Sequence, residues 1–144
     1  MNSVTPAQLR LAQWLLQQEA AGRDEPAATA DAAALAWDKL SPRLANIFTI
    51  AGTHGIAKRA IYLAQRNFPL LRGVEGEMGL NGLRGAMAEI DESEAAHAAA
   101  AVLANVIALS VTFIGEDLSL RAIRDVWPDA PLGEENQLRQ EASL

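Results

Sequence analysis

The sequence predicts an all-α protein, a compact antiparallel bundle of about five to six helices around one central apolar helix. Three observations carry this. Alanine, the best helix former, is used heavily, while aromatic residues make up only 5% of the 144 residues. Helix start and stop signals recur at helical lengths along the chain. No stretch shows the two-residue alternation of a half-buried strand.

The first start signal is Thr5-Pro6, a capping hydroxyl followed by a proline where its missing N–H costs nothing. Leu9, Ala12, Leu15 and Leu16 follow at helical spacing and Gly22 stops the run. Residues 22–30, GRDEPAATA, read as a polar linker. Residues 31–40 continue as helix with Leu35 and Trp37 as the large apolar groups, and Ser41-Pro42 repeats the start signal. Leu44, Ile47, Phe48 and Ala51 then form an apolar stripe ended by Gly52. Thr53 is placed to cap a helix with Ile56, Ala60, Ile61, Leu63 and Ala64 inward, and Pro69 ends it. The glycine-rich stretch 72–85 reads as a loop, with a short helix over 81–90. Asp91, Glu92, Ser93 and Glu94 put carboxylates and a cap at the front of the long apolar run, which Gly115 interrupts. Residues 116–127 form a last amphipathic helix, with Leu118, Ala122, Ile123 and Val126 on its apolar side, ended by Pro128.

Length sets one domain, expected over 1–128, with 129–144 as a flexible tail. There is no cysteine, which removes disulfides, thiolate nucleophiles and cysteine-held metals and fits a cytoplasmic setting. The N-terminus shows no basic segment leading into an apolar one, so no secretory leader is expected. The net charge is −6 but unevenly spread. Residues 39–74 hold six basic residues and no acidic one, leaving eighteen acids against six bases elsewhere. Such a block suits either an anionic partner or internal pairing with the acidic segments.

Residues 95–114 contain no Asp, Glu, Lys or Arg over twenty positions, long enough to cross a bilayer. Only eight of the twenty are Val, Leu, Ile or Phe, supplying roughly −2.5 to −5 kcal/mol of insertion energy. His97, Asn105, Ser110 and Thr112 oppose it, and acidic flanks carry no anchoring cation or interfacial aromatic. On a helical wheel Val102, Leu103, Val106, Ile107, Leu109, Phe113 and Ile114 share one arc; Ala101, Ala104, Ala108 and Thr112 share the other. A helix apolar all round with a thin side belongs inside a bundle. Its alanine face, Ala101, Ala104 and Ala108, is expected to meet another helix of the chain or of a second subunit.

Several residue patterns suggest chemistry. Glu94 and His97 share a helical face, the spacing of half a ferritin-like di-metal site, but the second half is missing. His97 as a phosphoacceptor would resemble a histidine phosphotransfer module, an acidic helical bundle of this size. Those modules carry His-x-x-Lys-Gly, and here Ala100 and Ala101 stand where the lysine and glycine belong. A second pattern is Gly52-Thr53-His54-Gly55 followed by Lys58 and Arg59, a candidate anion site at a helix N-terminus. The same region resembles a helix-turn-helix, with 47–51 as first helix, a glycine turn, and 56–66 as recognition helix. Thr53, His54, Lys58, Arg59 and Arg66 are then the candidate nucleic-acid contacts. His54 stands where that motif wants an apolar group, and the chain as a whole is acidic.

No nucleophile with an adjacent base, no metal ligand set and no cofactor motif is read, so the sequence leans away from an enzyme. The expectation is a non-catalytic interaction or regulatory module, homodimeric or bound to another protein. A helix-turn-helix DNA-binding regulator and a phosphotransfer module through His97 are the alternatives. Neither a membrane nor an identifiable small molecule is expected as partner.

Overall fold

A computed structural model describes residues 4–20, 26–74, 80, 82–87 and 90–131 of the chain. Six α-helices follow one another: α1 (Pro6–Ala20), α2 (Pro26–Ala45), α3 (Ile50–Ala64), α4 (Leu83–Met87), α5 (Glu92–Ile114) and α6 (Glu116–Val126). Among the described residues a single 3-10 turn, Pro69–Leu71, lies between α3 and α4. Among the described residues there is no strand. The all-α bundle expected from the sequence is what forms, and buried side chains of all six helices meet in one hydrophobic core.

α5 is the axis of the bundle and packs against α1, α2, α3 and α6. Every residue of 102–110 is buried. Leu103, Ile107 and Leu109 are among the largest fully buried side chains, each stabilising by about 1.5–3 kcal/mol. It is the one helix among the described residues long and apolar enough to cross a membrane, and 67% of its most apolar stretch lies inside the protein. Its polar residues are satisfied locally. Asn105 donates to the Ala101 carbonyl at 2.8 Å and Thr112 to the Ala108 carbonyl at 2.9 Å. Ser110 and Ser119 pair their buried hydroxyls at 2.7 Å, joining α5 to α6. Among the described residues no buried side-chain polar atom lacks a partner, as a closed core requires.

The alanine arc of α5 is covered within the chain: Ala104 is 0% and Ala108 4% exposed, and Ala101 is half-buried. Of the two coverings the sequence left open, a helix of the same chain or a second subunit, the first holds. Small side chains there admit the neighbouring helices closely.

The helix ends show where local signals prevailed and where they failed. At α1 the expected cap is a reciprocal box: the Gln8 N–H donates to Thr5 Oγ1 at 3.1 Å, and the Thr5 N–H donates to Gln8 Oε1 at 3.0 Å. Asp91 caps α5 by accepting from the Ser93 N–H at 3.1 Å. Glu116 and Asp117 occupy the first turn of α6, where the helix dipole favours them. Gly115 separates the two helices at φ +88°, an angle that favours glycine.

Between residues 26 and 53 the boundaries differ from expectation. Residues 26–30, read as linker, are the first turn and more of α2. Ser41-Pro42 starts nothing, because α2 runs through Pro42 to Ala45. The proline sacrifices one backbone bond in the last turn, and Leu40 and Leu44, four apart and both buried, hold that turn to the core. The stripe 47–51 is therefore no helix of its own. Residues 46–49 turn the chain, and Thr49, not Thr53, caps α3, its Oγ1 accepting from the Gly52 N–H at 2.9 Å. Gly52 does not stop a helix but lies in the first turn of one.

Three of the leucines that mark the apolar patterns stay outside the core. Leu9, Leu35 and Leu118 are exposed. Leu11, Trp37 and Leu120 fill the core beside them. Pro69 opens the 3-10 turn, while α3 has already ended at Ala64. The helix expected over 81–90 is shorter, Leu83–Met87. Parts of the glycine-rich stretch, the Gly22 stop and the tail from 132 lie outside the described residues.

One polar anchor ties the far ends together. The side chain of Glu19, at the end of α1, is 6% exposed. It accepts from Lys39 of α2, with Nζ 2.8 Å from Oε1, and from the Trp127 indole N–H at 3.0 Å. Lys39 thus pairs the first cation of the basic block with an acidic element, the internal pairing that such a block allows. Replacing Glu19 by alanine leaves the buried indole N–H without an acceptor. We expect Glu19→Ala to lower unfolding free energy by about 1–3 kcal/mol in urea titrations. Glu19→Gln, which keeps a carbonyl oxygen for the indole, should lose less. Ala104→Leu should cost about 1–3 kcal/mol by overpacking, and the loss should be the same at every protein concentration because the contact is within one chain.

Candidate interaction site

The expected site residues divide between two helices. On α3, Thr53 is buried and its hydroxyl donates to the Thr49 carbonyl at 2.9 Å, so it faces the core and meets no ligand. His54, Lys58, Arg59 and Arg66 are exposed. The segment expected as the turn of a helix-turn-helix, around Gly52 to Gly55, is helical, and the segment expected as its first helix contains the real turn. The register proposed for that motif is therefore not the one that forms. At the N-terminus of α3 the Gly52 N–H is taken by the Thr49 cap, and Lys58 and Arg59 lie more than a turn beyond the free end.

Gly52, Gly55, Arg59 and Tyr62 succeed one another at steps of three and four, so they share one exposed stripe of α3, and Arg66 is exposed in the turn that follows the helix. The Arg59 guanidinium lies over the Tyr62 ring, 5.9 Å from its centroid, a contact of about 0.5–1 kcal/mol at an exposed position. Beside this stripe a groove of about 370 Å³ opens between α3 and the end of α5. Phe48, Gly52, Gly55, Ile56, Arg59 and Phe113 line it.

Each lining residue has a reason to be there. The 46–49 turn delivers Phe48 next to the Thr49 cap. Ile56 is the buried floor. The two glycines withhold side chains from the middle: a Cβ at Gly55 would meet nothing within 4 Å, while one at Gly52 would come to 3.3 Å from Thr49 Oγ1. Phe113 is 65% exposed in the last turn of α5, where that helix emerges from its neighbours. The groove is thus apolar, walled by two aromatic rings and bordered by one cation. It suits an apolar anchor flanked by negative charge, and it holds no group for bond-making chemistry.

His97 lies elsewhere. It is exposed near the start of α5 and borders a second cleft, of about 430 Å³, with Gln13, Gln17 and Thr29 around Leu16 and Ala20. Among the described residues no lysine or arginine lines that cleft. Among the described residues no three His, Asp or Glu side chains gather in a way that could hold a metal ion.

The sequence reading found the basic residues of α3 but missed the groove. Phe113 shares the large-residue arc of α5 and was placed in the core with it. Its nearness to Gly115, where the helix must end, is the signal that it sits at an exposed terminus. Comparison of the chain with family models, curated proteins and solved structures gives no match.

Gly55 provides a direct check on the groove. A glycine inside a helix costs roughly 0.5–1 kcal/mol relative to alanine. Since a methyl group at Gly55 enters open space, Gly55→Ala should raise stability by about that amount in denaturant titrations. Gly52→Ala, crowded by its own cap, should gain less.

Proposed function

We propose that this chain is a non-catalytic helical interaction module, and that the groove between α3 and α5 is its contact surface for another protein chain. The observation that carries the reading is Phe113, a large aromatic side chain held in water at the lip of an apolar groove. Covering such a ring returns about 1.5–3 kcal/mol, and buried aromatic anchors dominate the energetics of protein interfaces.

Further features support the same reading. The exposed charged side chains of α3 are all basic, and charge of one sign around an apolar centre favours a partner of the other sign and speeds its approach. α5 is consumed as the core of the fold, which leaves the ends and outer faces of the helices for recognition.

The reading is tested by selecting from a library of displayed helical peptides against the immobilised chain. Enriched peptides should carry an aromatic or aliphatic anchor flanked by Asp or Glu. They should bind Gly55→Leu, which fills the groove, at least about tenfold more weakly. Peptides that bind this variant equally well, or no enrichment at all, would contradict the proposal.

A further inference from the structure

We infer that the occupant of the groove is a second copy of this chain, the two related by a two-fold axis so that each Phe113 ring enters the groove of the other. The inference rests on the reading of the groove as a contact surface and names its partner. It replaces the alanine face, which is covered within the chain, as the seat of self-association.

The patch is complementary to itself in shape. A two-fold contact joins one surface to the same surface, so it needs a projection and a recess side by side. Here the projection is Phe113 and the recess is the groove it borders. The recess, about 370 Å³, is ample for an aromatic ring, since cavities of about 150 Å³ already admit benzene. The two glycines at its centre let the incoming ring lie against backbone.

The patch is also complementary to itself in charge. Its α3 side carries Arg59, Arg66 stands exposed in the turn after that helix, and there is no acidic residue anywhere in 39–74. Its other side leads within four residues from Phe113 through the Gly115 turn to Glu116 and the exposed Asp117 at the start of α6. A two-fold axis through the apolar centre sets the basic wall of one copy against the acidic elbow of the other. Such local pairing is what two chains of net charge −6 require in order to approach.

The experiment is sedimentation equilibrium of the full chain from micromolar to millimolar concentration, with thermal unfolding of every variant as a control for folding. The wild type should dimerise. Phe113→Ser should be monomeric at concentrations where the wild type is dimeric, with the melting temperature the wild type shows at concentrations where it is monomeric, because the ring is mostly outside the monomer core. Arg59→Glu and Asp117→Lys should each weaken the dimer at least about tenfold, and the double variant, which restores opposite charges across the axis, should recover most of the loss. A dimer indifferent to Phe113→Ser overturns the inference, as does failure of the double variant to recover. A wild type monomeric throughout overturns it as well. In that case selected peptides that still bind the groove would leave the interaction reading standing, and their absence would remove both.

Discussion

The fold depends on one constraint: a 23-residue helix with no Asp, Glu, Lys or Arg from 95 to 114 must have that stretch kept from water. α5 cannot be stable alone, because its apolar residues run all the way round and in isolation they would all face water. Four other helices are arranged to cover it. Alanines on one arc set how closely those helices come, and branched residues on the other arc fill the space between them. The polar side chains on this helix do not compromise the arrangement, since Asn105 and Thr112 turn back on their own backbone and Ser110 finds Ser119.

That constraint was legible in the sequence because it is written in composition over many consecutive residues. So were the caps at Thr5 and Asp91 and the break at Gly115, each set by a neighbour or two. The boundary between α2 and α3 was not. Ser41-Pro42 and Gly52 carry strong local signals; tertiary packing outweighed the first and a competing local cap outweighed the second. Leu40 and Leu44 gain more from staying in one helix than Pro42 costs it, and the Thr49 cap sets the start of α3 three residues before the glycine. Leu9, Leu35 and Leu118 show the limit of periodicity: it locates an apolar face but not how wide a strip of that face the neighbours reach.

The candidate site follows from the same geometry. In the last turn of α5 Val111 and Ile114 still pack against the core, while the other side of the turn is uncovered and holds Phe113 in solvent. The 46–49 turn brings Phe48 to the same end, and two glycines keep the intervening face of α3 bare. None of this is a motif. It arises from where two helices end in space, which a single sequence does not record, whereas the basic character of α3 is visible by counting charges. The residues found from sequence and those found from structure meet at Arg59, among the described residues the one basic side chain that borders the groove.

The most direct measurement of the central claim is native-state hydrogen exchange of the purified chain in plain buffer. If α5 is enclosed on all sides by its own chain, the backbone amides of residues 102–110 exchange only through global unfolding, with a protection free energy equal to that from denaturant titration. Exchange of those amides by a separate, lower-energy opening would contradict the account, and so would protection that appears only when detergent micelles are added.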